Sequence, residues 1–310
     1  MLSISNLTVE YGSTRALENA SLNFPLEGYT LGVVGESGSG KTTLGNSIMR
    51  LIRPPGKIVS GKIYFNDKDV MQMTPKELRS FRWKDISMIF QSAMNALNPV
   101  KTISDHIVEV LREHSDISLS EAKVRAEELL VSMGIPANRI RNYPHEFSGG
   151  MRQRAVIAMA VALSPRLLIA DEPTSALDIV VQDQILALIQ EEVLKHNLSL
   201  LFITHEISLL PGLVDNVAVM YAGEIVELGP IEKVLNDPLH PYTEMLLDSL
   251  LTLSSTRDML NRPVQRQEAG FPKEGCKYTT RCKYRMEICP RERPILTEVE
   301  KGRFVSCHKY

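Results

Sequence analysis

With 310 residues, 44% of them hydrophobic and 23% charged, the chain has a globular composition, room for about two domains, and nothing of the disordered class. A formal net charge of −2 gives no global pull toward nucleic acid. The longest charge-free stretch, Ile86 to Val100, is broken by Gln91, Asn95, Asn98 and Pro99 and falls short of the about 20 apolar residues of a spanning helix, and the opening MLSISNLTVEYG lacks a leader pattern, so neither a span nor a secretory signal is expected.

Leu2–Val9 and Thr30–Val34 are short apolar or alternating runs that predict strands, the second leading into a glycine-rich loop. Ile58–Phe65 alternates across Ser60-Gly61 and predicts another. Ser118 to Met133 predicts a helix: Ser118 and Glu121 make a capping box, and Ala122, Ala126, Leu129, Leu130 and Met133 share one face before Gly134 closes it. Leu167–Ala170 and Leu200–Ile203 are wholly apolar, as buried parallel strands are, with helical spacing over Val180–Val193 between them. Strands alternating with helices predict an α/β domain with a parallel sheet. Polar Thr252–Gly275 reads as a linker. Beyond it the charge changes: residues 262–310 hold twelve Lys and Arg against six Glu, a balance of +6 that leaves −8 for the rest. All four cysteines lie in this basic tail, which marks it as a candidate module.

Gly35-Glu36-Ser37-Gly38-Ser39-Gly40-Lys41-Thr42 fits G-x-x-x-x-G-K-[ST], after an apolar strand and before a helical stretch. Its glycines let backbone N–H groups wrap phosphates. Lys41 reaches the outer phosphates, Thr42 offers its hydroxyl to Mg²⁺, and a helix N-terminus, with Thr43 in its first turn, adds partial positive charge. Downstream, the strand Leu167-Leu168-Ile169-Ala170 delivers Asp171 to the Mg²⁺ water shell and Glu172 to the attacking water. Alone, such an acidic pair reads first as a salt bridge. Joined to the phosphate loop, it reads as hydrolytic machinery.

Between them, Phe147-Ser148-Gly149-Gly150-Met151-Arg152-Gln153-Arg154 resembles the signature sequence of ATP-binding cassette (ABC) ATPases. The resemblance implies an α/β fold: a P-loop, RecA-like core over residues 1–250 with a helical subdomain at about 92–155, and a small cysteine-containing C-terminal module over 251–310. It implies that Ser148, Gly149 and Gly150 cradle a γ-phosphate bound by an opposite subunit, so that the site is complete only in a dimer. On the same grounds Gln91 senses Mg²⁺ and relays to a membrane partner, Ser175-Ala176-Leu177-Asp178 contacts the opposite subunit, His205 is the switch histidine at the γ-phosphate, and Tyr11 stacks on adenine. The expected catalytic set is then Lys41, Gln91, Glu172 and His205. Nucleotide contacts are expected from Tyr11, Gly35, Ser37, Gly38, Ser39, Gly40, Lys41, Thr42, Thr43, Ser148, Gly149, Gly150 and Asp178, and Mg²⁺ ligands from Thr42, Gln91 and Asp171.

Several segments resemble the oligopeptide/dipeptide importer branch: Phe147 and Met151 with Arg152-Gln153-Arg154, Ala93-Met94-Asn95-Ala96-Leu97-Asn98-Pro99, Ala170 to Asp178, and His240-Pro241-Tyr242-Thr243. Ser92 departs from the acidic residue more usual there. This resemblance implies an ATPase subunit on the cytoplasmic face of the cell membrane, held peripherally by two permease subunits. It would pair with a second, related ATPase and be served by a solute-binding protein, with no nucleic-acid partner. Its cargo would be di- or oligopeptides, or oligosaccharides as in some relatives. Cassette ATPases of DNA repair or translation usually carry two cassettes, a coiled-coil insertion or a basic patch. This chain has one cassette, no heptad run and an acidic body.

Cys276, Cys282, Cys289 and Cys307 are spaced C-x5-C-x6-C-x17-C. A two-disulfide framework does not suit a cytosolic protein, and the C-x2–4-C pairs of structural zinc sites are absent. The spacing resembles the tail of peptide-importer ATPases, some of which hold a 4Fe–4S cluster. A cluster, Zn²⁺ and plain thiols stand as three readings. Under the first, Lys277, Arg281, Lys283 and Arg285 would screen the negative cluster.

Overall fold

The structure, a computed structural model, describes residues 1–91, 96–175, 177–253, 271–272 and 274–310. Its centre is a run of parallel strands in the spatial order β9 (Asn216–Tyr221), β3 (Thr30–Val34), β8 (Ser199–Thr204), β7 (Leu167–Asp171) and β6 (Ile86–Ile89). Alternate residues of these strands enter two different cores. Leu167, Ile169, Leu201 and Ile203 face a layer shared with a second, antiparallel sheet, whereas Leu168, Ala170, Leu200 and Phe202 face a layer of helices. With both faces buried no position is left for a polar side chain, hence the unbroken apolar runs in the sequence.

The antiparallel sheet runs β2 (Thr14–Phe24), β1 (Leu2–Tyr11), β4 (Gly56–Phe65) and the two-residue β5 (Lys68–Asp69). Helix α1 (Lys41–Ile48) follows β3 and packs beneath this sheet through Leu44 and Ile48. Helix α2 (Pro75–Lys84) precedes β6. Helices α3 (Ile103–His114), α4 (Leu119–Ser132) and α5 (Gly149–Val161) form the other layer with α6 (Ile179–Lys195). The predicted Ser118–Glu121 capping box is present, with the Glu121 N–H on Ser118 Oγ at 3.2 Å and the Ser118 N–H on the Glu121 carboxylate at 2.9 Å. Ala122, Ala126 and Leu130 are buried as the periodicity requires. Helices α7 (Ile231–Asn236) and α8 (Pro241–Leu253) follow the last core strands.

The tail is continuous with the body. Strands β10 (Glu224–Pro230), β12 (Arg303–Val305) and β11 (Thr297–Glu300) extend the central sheet antiparallel beyond β9, so residues from the end of the chain complete a sheet begun near its start. Of the predicted linker, Thr252 and Leu253 end α8, and 254–270 with Lys273 lie outside the described residues. The basic surplus of the tail is engaged with the body. Lys277 pairs with Glu18 at 2.7 Å and Glu224 at 3.4 Å, and Arg293 pairs with the same two at 2.8 and 3.1 Å. Lys283 pairs with Glu244 at 2.8 Å, and Arg303 with Asp237 at 3.1 Å. Burial pushes the Glu18 carboxyl up, but Lys277, Arg293 and Arg15 outweigh it and hold the group at about 2. Much of the excess charge of the tail thus neutralises acids of the body.

Candidate active site

The turn that closes β3 returns the chain into α1 through Gly40, whose φ of +102° is open to glycine and strained for other residues. This places Lys41 at the head of the helix, 5% exposed, with Nζ donating to the carbonyls of Gly35 at 2.7 Å and Glu36 at 2.9 Å and lying 3.5 Å from Ser39 Oγ. Burial lowers the Lys41 pKa while Glu172, Asp171 and Glu36 act against it. The loop is thus curled around the Lys41 ammonium.

One residue on, Thr42 Oγ1 donates to Asp171 Oδ1 at 3.1 Å, which brings two of the expected Mg²⁺ ligands together. Asp171 ends β7 and is 1% exposed. Burial pushes its carboxyl up from 3.8 to about 6, against the Thr42 hydrogen bond and the Lys41 charge. A buried carboxylate so poorly compensated fits a cation site, because a divalent ion would supply the missing positive charge.

Glu172 turns out of the strand with a φ of +45°, its N–H held by the carbonyl of Ile203 on β8 at 2.9 Å. Its carboxylate lies between two expected partners. Gln91 Nε2, just after β6, donates to Oε2 at 2.8 Å, and His205 Nδ1, just after β8, lies 3.0 Å from Oε1. Since a carboxylate only accepts, Nδ1 carries the proton in that contact. Nε2 of the same ring lies 3.5 Å from Glu206. Four residues read separately from the sequence, Gln91, Asp171, Glu172 and His205, therefore meet at the C-terminal edge of three adjacent parallel strands, where ligands of such sheets bind.

The signature forms a second cluster. Ser148 caps α5 by accepting the Met151 N–H at 3.4 Å, and Gly149 and Gly150 open that helix. A Cβ on Gly150 would lie 2.7 Å from Val181 Cγ1, so glycine lets the starts of α5 and α6 touch. Asp178 caps α6 by accepting the Val181 N–H at 3.0 Å, a local role beside the intersubunit one read in the sequence. A residue that the sequence reading missed connects the clusters: buried Gln153, on α5, donates to the carbonyl of Pro173 at 2.6 Å, one residue after Glu172. Its signal was only its place in the signature. Tyr11 ends β1 with its ring over Gly56, where a Cβ would lie 2.5 Å from the ring. Ser92, Ala93, Met94 and Asn95, which follow Gln91, and Ala176 lie outside the described residues.

Tyr242 and Arg281 were also missed as site residues. The Glu36 N–H donates to Tyr242 Oη at 2.9 Å, and both terminal nitrogens of Arg281 donate to the Glu36 carboxylate, at 3.0 and 3.1 Å. Tyr242 was visible only as part of the His240–Thr243 motif, and Arg281 as one basic residue among the cysteines.

All four cysteines are free thiols. Burial pushes Cys276 up to about 11, and the neighbouring thiols of Cys289, Cys307 and Cys282 add to the rise. Burial likewise raises Cys282 and Cys307, which feel Cys289 and each other. Backbone N–H groups of Tyr278, Tyr284 and Lys309 face the sulfurs of Cys276, Cys282 and Cys307, and that of Met286 lies 3.4 Å from Cys289 Sγ. The sequence distributes these residues over three intervals, and the fold gathers them into one neighbourhood. Among the described residues no three His, Cys, Asp or Glu side chains are disposed around a single metal ion.

The family profile of ABC transporters matches residues 17–175, and that of the oligopeptide/dipeptide transporter C-terminal region matches residues 226–289. The oligopeptide transport ATP-binding protein OppD of Bacillus subtilis is 43% identical over 315 residues, covering 98% of this chain and 87% of its own. The dipeptide transport ATP-binding protein DppD of Escherichia coli is 38% identical, covering 99% of this chain and 96% of its own. Among solved structures, the dimeric ATP-binding cassette MJ0796 in a post-hydrolysis state with ADP and Pi superposes with a TM-score of 0.66 at 27% identity, over 74% of this chain and 99% of its own. The cassette cbiO1 of Clostridium perfringens, part of the cbiONQ complex, gives 0.67 at 25% identity over 83% and 96%.

Proposed function

This chain belongs to the ABC transporter ATPases, and from that premise we propose that it is the ATP-hydrolysing subunit of an importer of di- or oligopeptides. The observation that supports the cargo class is similarity over nearly the whole chain to peptide-import ATPases, together with the match of the C-terminal region. Among the described residues no helix is long and apolar enough to cross a membrane. We assign the passage of peptide to two separate permease subunits that hold this chain peripherally at the cytoplasmic face, with a related second ATPase across the dimer and a solute-binding protein outside.

In this reading Lys41 gives up its two carbonyl partners to hold the outer phosphates, and Thr42, Asp171 and Gln91 would hold the Mg²⁺. Mg²⁺, when bound, neutralises charge on the phosphate oxygens. Glu172 is the base that orients or deprotonates water. Gln91 Nε2 and His205 Nδ1 both face its carboxylate and orient it. Ser148, Gly149 and Gly150 act on nucleotide held by the opposite subunit, with Tyr11 at the adenine.

For the tail we propose that Cys276, Cys282, Cys289 and Cys307 hold one 4Fe–4S cluster. Four free thiols gathered in one neighbourhood, each facing a backbone N–H, fit a thiolate-bound cluster, whose sulfur ligands accept such hydrogen bonds. The cluster would fasten a segment with few apolar residues of its own.

The test of the main assignment is Glu172→Gln in the assembled importer. ATP binding should persist while turnover and peptide uptake fall about 100-fold or more. Turnover at the wild-type rate would remove Glu172 from its catalytic role.

A further inference from the structure

Glu36, in the first turn of the phosphate loop, is held at every polar group. Its N–H donates to Tyr242 Oη at 2.9 Å, and its carbonyl accepts from Lys41 Nζ at 2.9 Å and from the Ser39 N–H at 3.1 Å. Its carboxylate takes a two-pronged contact from Arg281 at 3.0 and 3.1 Å. The two residues are 245 apart in sequence, and Arg281 stands between Cys276 and Cys282. The guanidinium is fixed in turn, with its central carbon 5.9 Å from the Tyr221 ring and 5.7 Å from the Tyr278 ring. A planar fork set beside two aromatic rings and matched to a carboxylate is a geometry that lysine does not reproduce.

A carboxylate in a phosphate-binding loop is an electrostatic liability, because nucleotide brings several more negative charges to the same place. We propose that Arg281 is a positioning residue for the nucleotide site: it neutralises and anchors Glu36, and so makes ATP affinity depend on the C-terminal segment. The inference rests on the phosphate loop being the ATP site and is independent of what the four cysteines hold. Since Arg281 touches the loop and not the water or its base, it belongs to binding and not to the chemical step.

The test measures KM and kcat for ATP in the assembled importer, and Kd for Mg–ADP on the full-length subunit. Arg281→Gln should raise KM and Kd about fivefold with kcat unchanged, an effect set by one unneutralised, partly exposed carboxylate. Arg281→Lys should fall between. Adding Glu36→Gln to Arg281→Gln should restore affinity, since no stray charge then faces the nucleotide. A general loosening of the tail would not be repaired by that second change. Unchanged Kd in Arg281→Gln, or a double variant as weak as the single one, overturns the proposal, as does a fall in kcat at constant KM. Should Arg281→Gln not yield folded protein, Glu36→Gln alone decides: tighter Mg–ADP binding supports the proposal, and weaker or equal binding overturns it.

Discussion

Asp171→Asn isolates the tension between stability and metal binding at this site. The native carboxyl is displaced from 3.8 to about 6, chiefly because β7 buries it among apolar neighbours. A raised carboxyl means that the folded chain holds its proton more tightly than the unfolded chain. The stabilisation this group contributes is therefore greatest below about pH 4 and is lost as the pH climbs through 6. A displacement of roughly two pH units corresponds to about 3 kcal/mol at pH 7, shrinking to about half at pH 5 and to a few tenths at pH 4. Asparagine keeps the acceptor for Thr42 Oγ1 and the side-chain shape but carries no charge. Without Mg²⁺ and nucleotide, the variant should therefore be about 2–3 kcal/mol more stable than wild type in urea at pH 7 and equal to it near pH 4. Saturating Mg–ATP should reverse the order, because only the carboxylate gains from the ion. A variant whose advantage stays the same at both pH values, or is absent at pH 7, would refute the idea that burial of charge dominates here.

Ser148→Arg should leave Mg–ADP binding by the isolated subunit intact, since the Lys41 loop is untouched, while blocking ATP-driven dimerisation in size-exclusion chromatography. Loss of nucleotide binding by the monomer would place Ser148 in its own subunit's site. Cys289→Ser should remove iron from anaerobically prepared protein and abolish its broad absorption near about 400 nm. Stoichiometric zinc with no iron in the unaltered protein would refute the cluster.

What the sequence disclosed was whatever rests on local chemistry or on repetition along the chain. The phosphate loop is contiguous, so its glycines, Lys41 and Thr42 identify themselves. Strands β7 and β8 are buried on both faces, so their runs are unbroken. Ser118 and Glu121 are neighbours along one helix, and their capping box needs no tertiary information. The rest depends on meetings between distant segments. Arg281 and Glu36 follow no periodicity that could pair them, and a basic residue beside cysteines gives no sign of an acid 245 positions away. Strand β11, Thr-Glu-Val-Glu, is too short and too charged to show as sheet. Gln91, Glu172 and His205 were readable one by one, but their contact follows from the order of β6, β7 and β8.

The strands contributed by the tail have a bearing on how such a chain can be cut or recombined. β12 pairs with Glu227 and Leu228 on the side of β10 away from β9, next to buried Ile225 and Val226, and β11 then forms the new margin with Glu298 and Glu300 upon it. A four-residue margin carrying carboxylates is a poor template for another chain, whereas without the tail Glu227 and Leu228 would present unpaired backbone beside apolar Ile225 and Val226. A cassette shortened at the apparent linker would thus be left with an adhesive flank. A tail grafted from a relative would have to match β10 in register and the acids at 18, 36 and 224 in charge. The terminal segment is best regarded as a seam of the cassette, inherited with it as one piece.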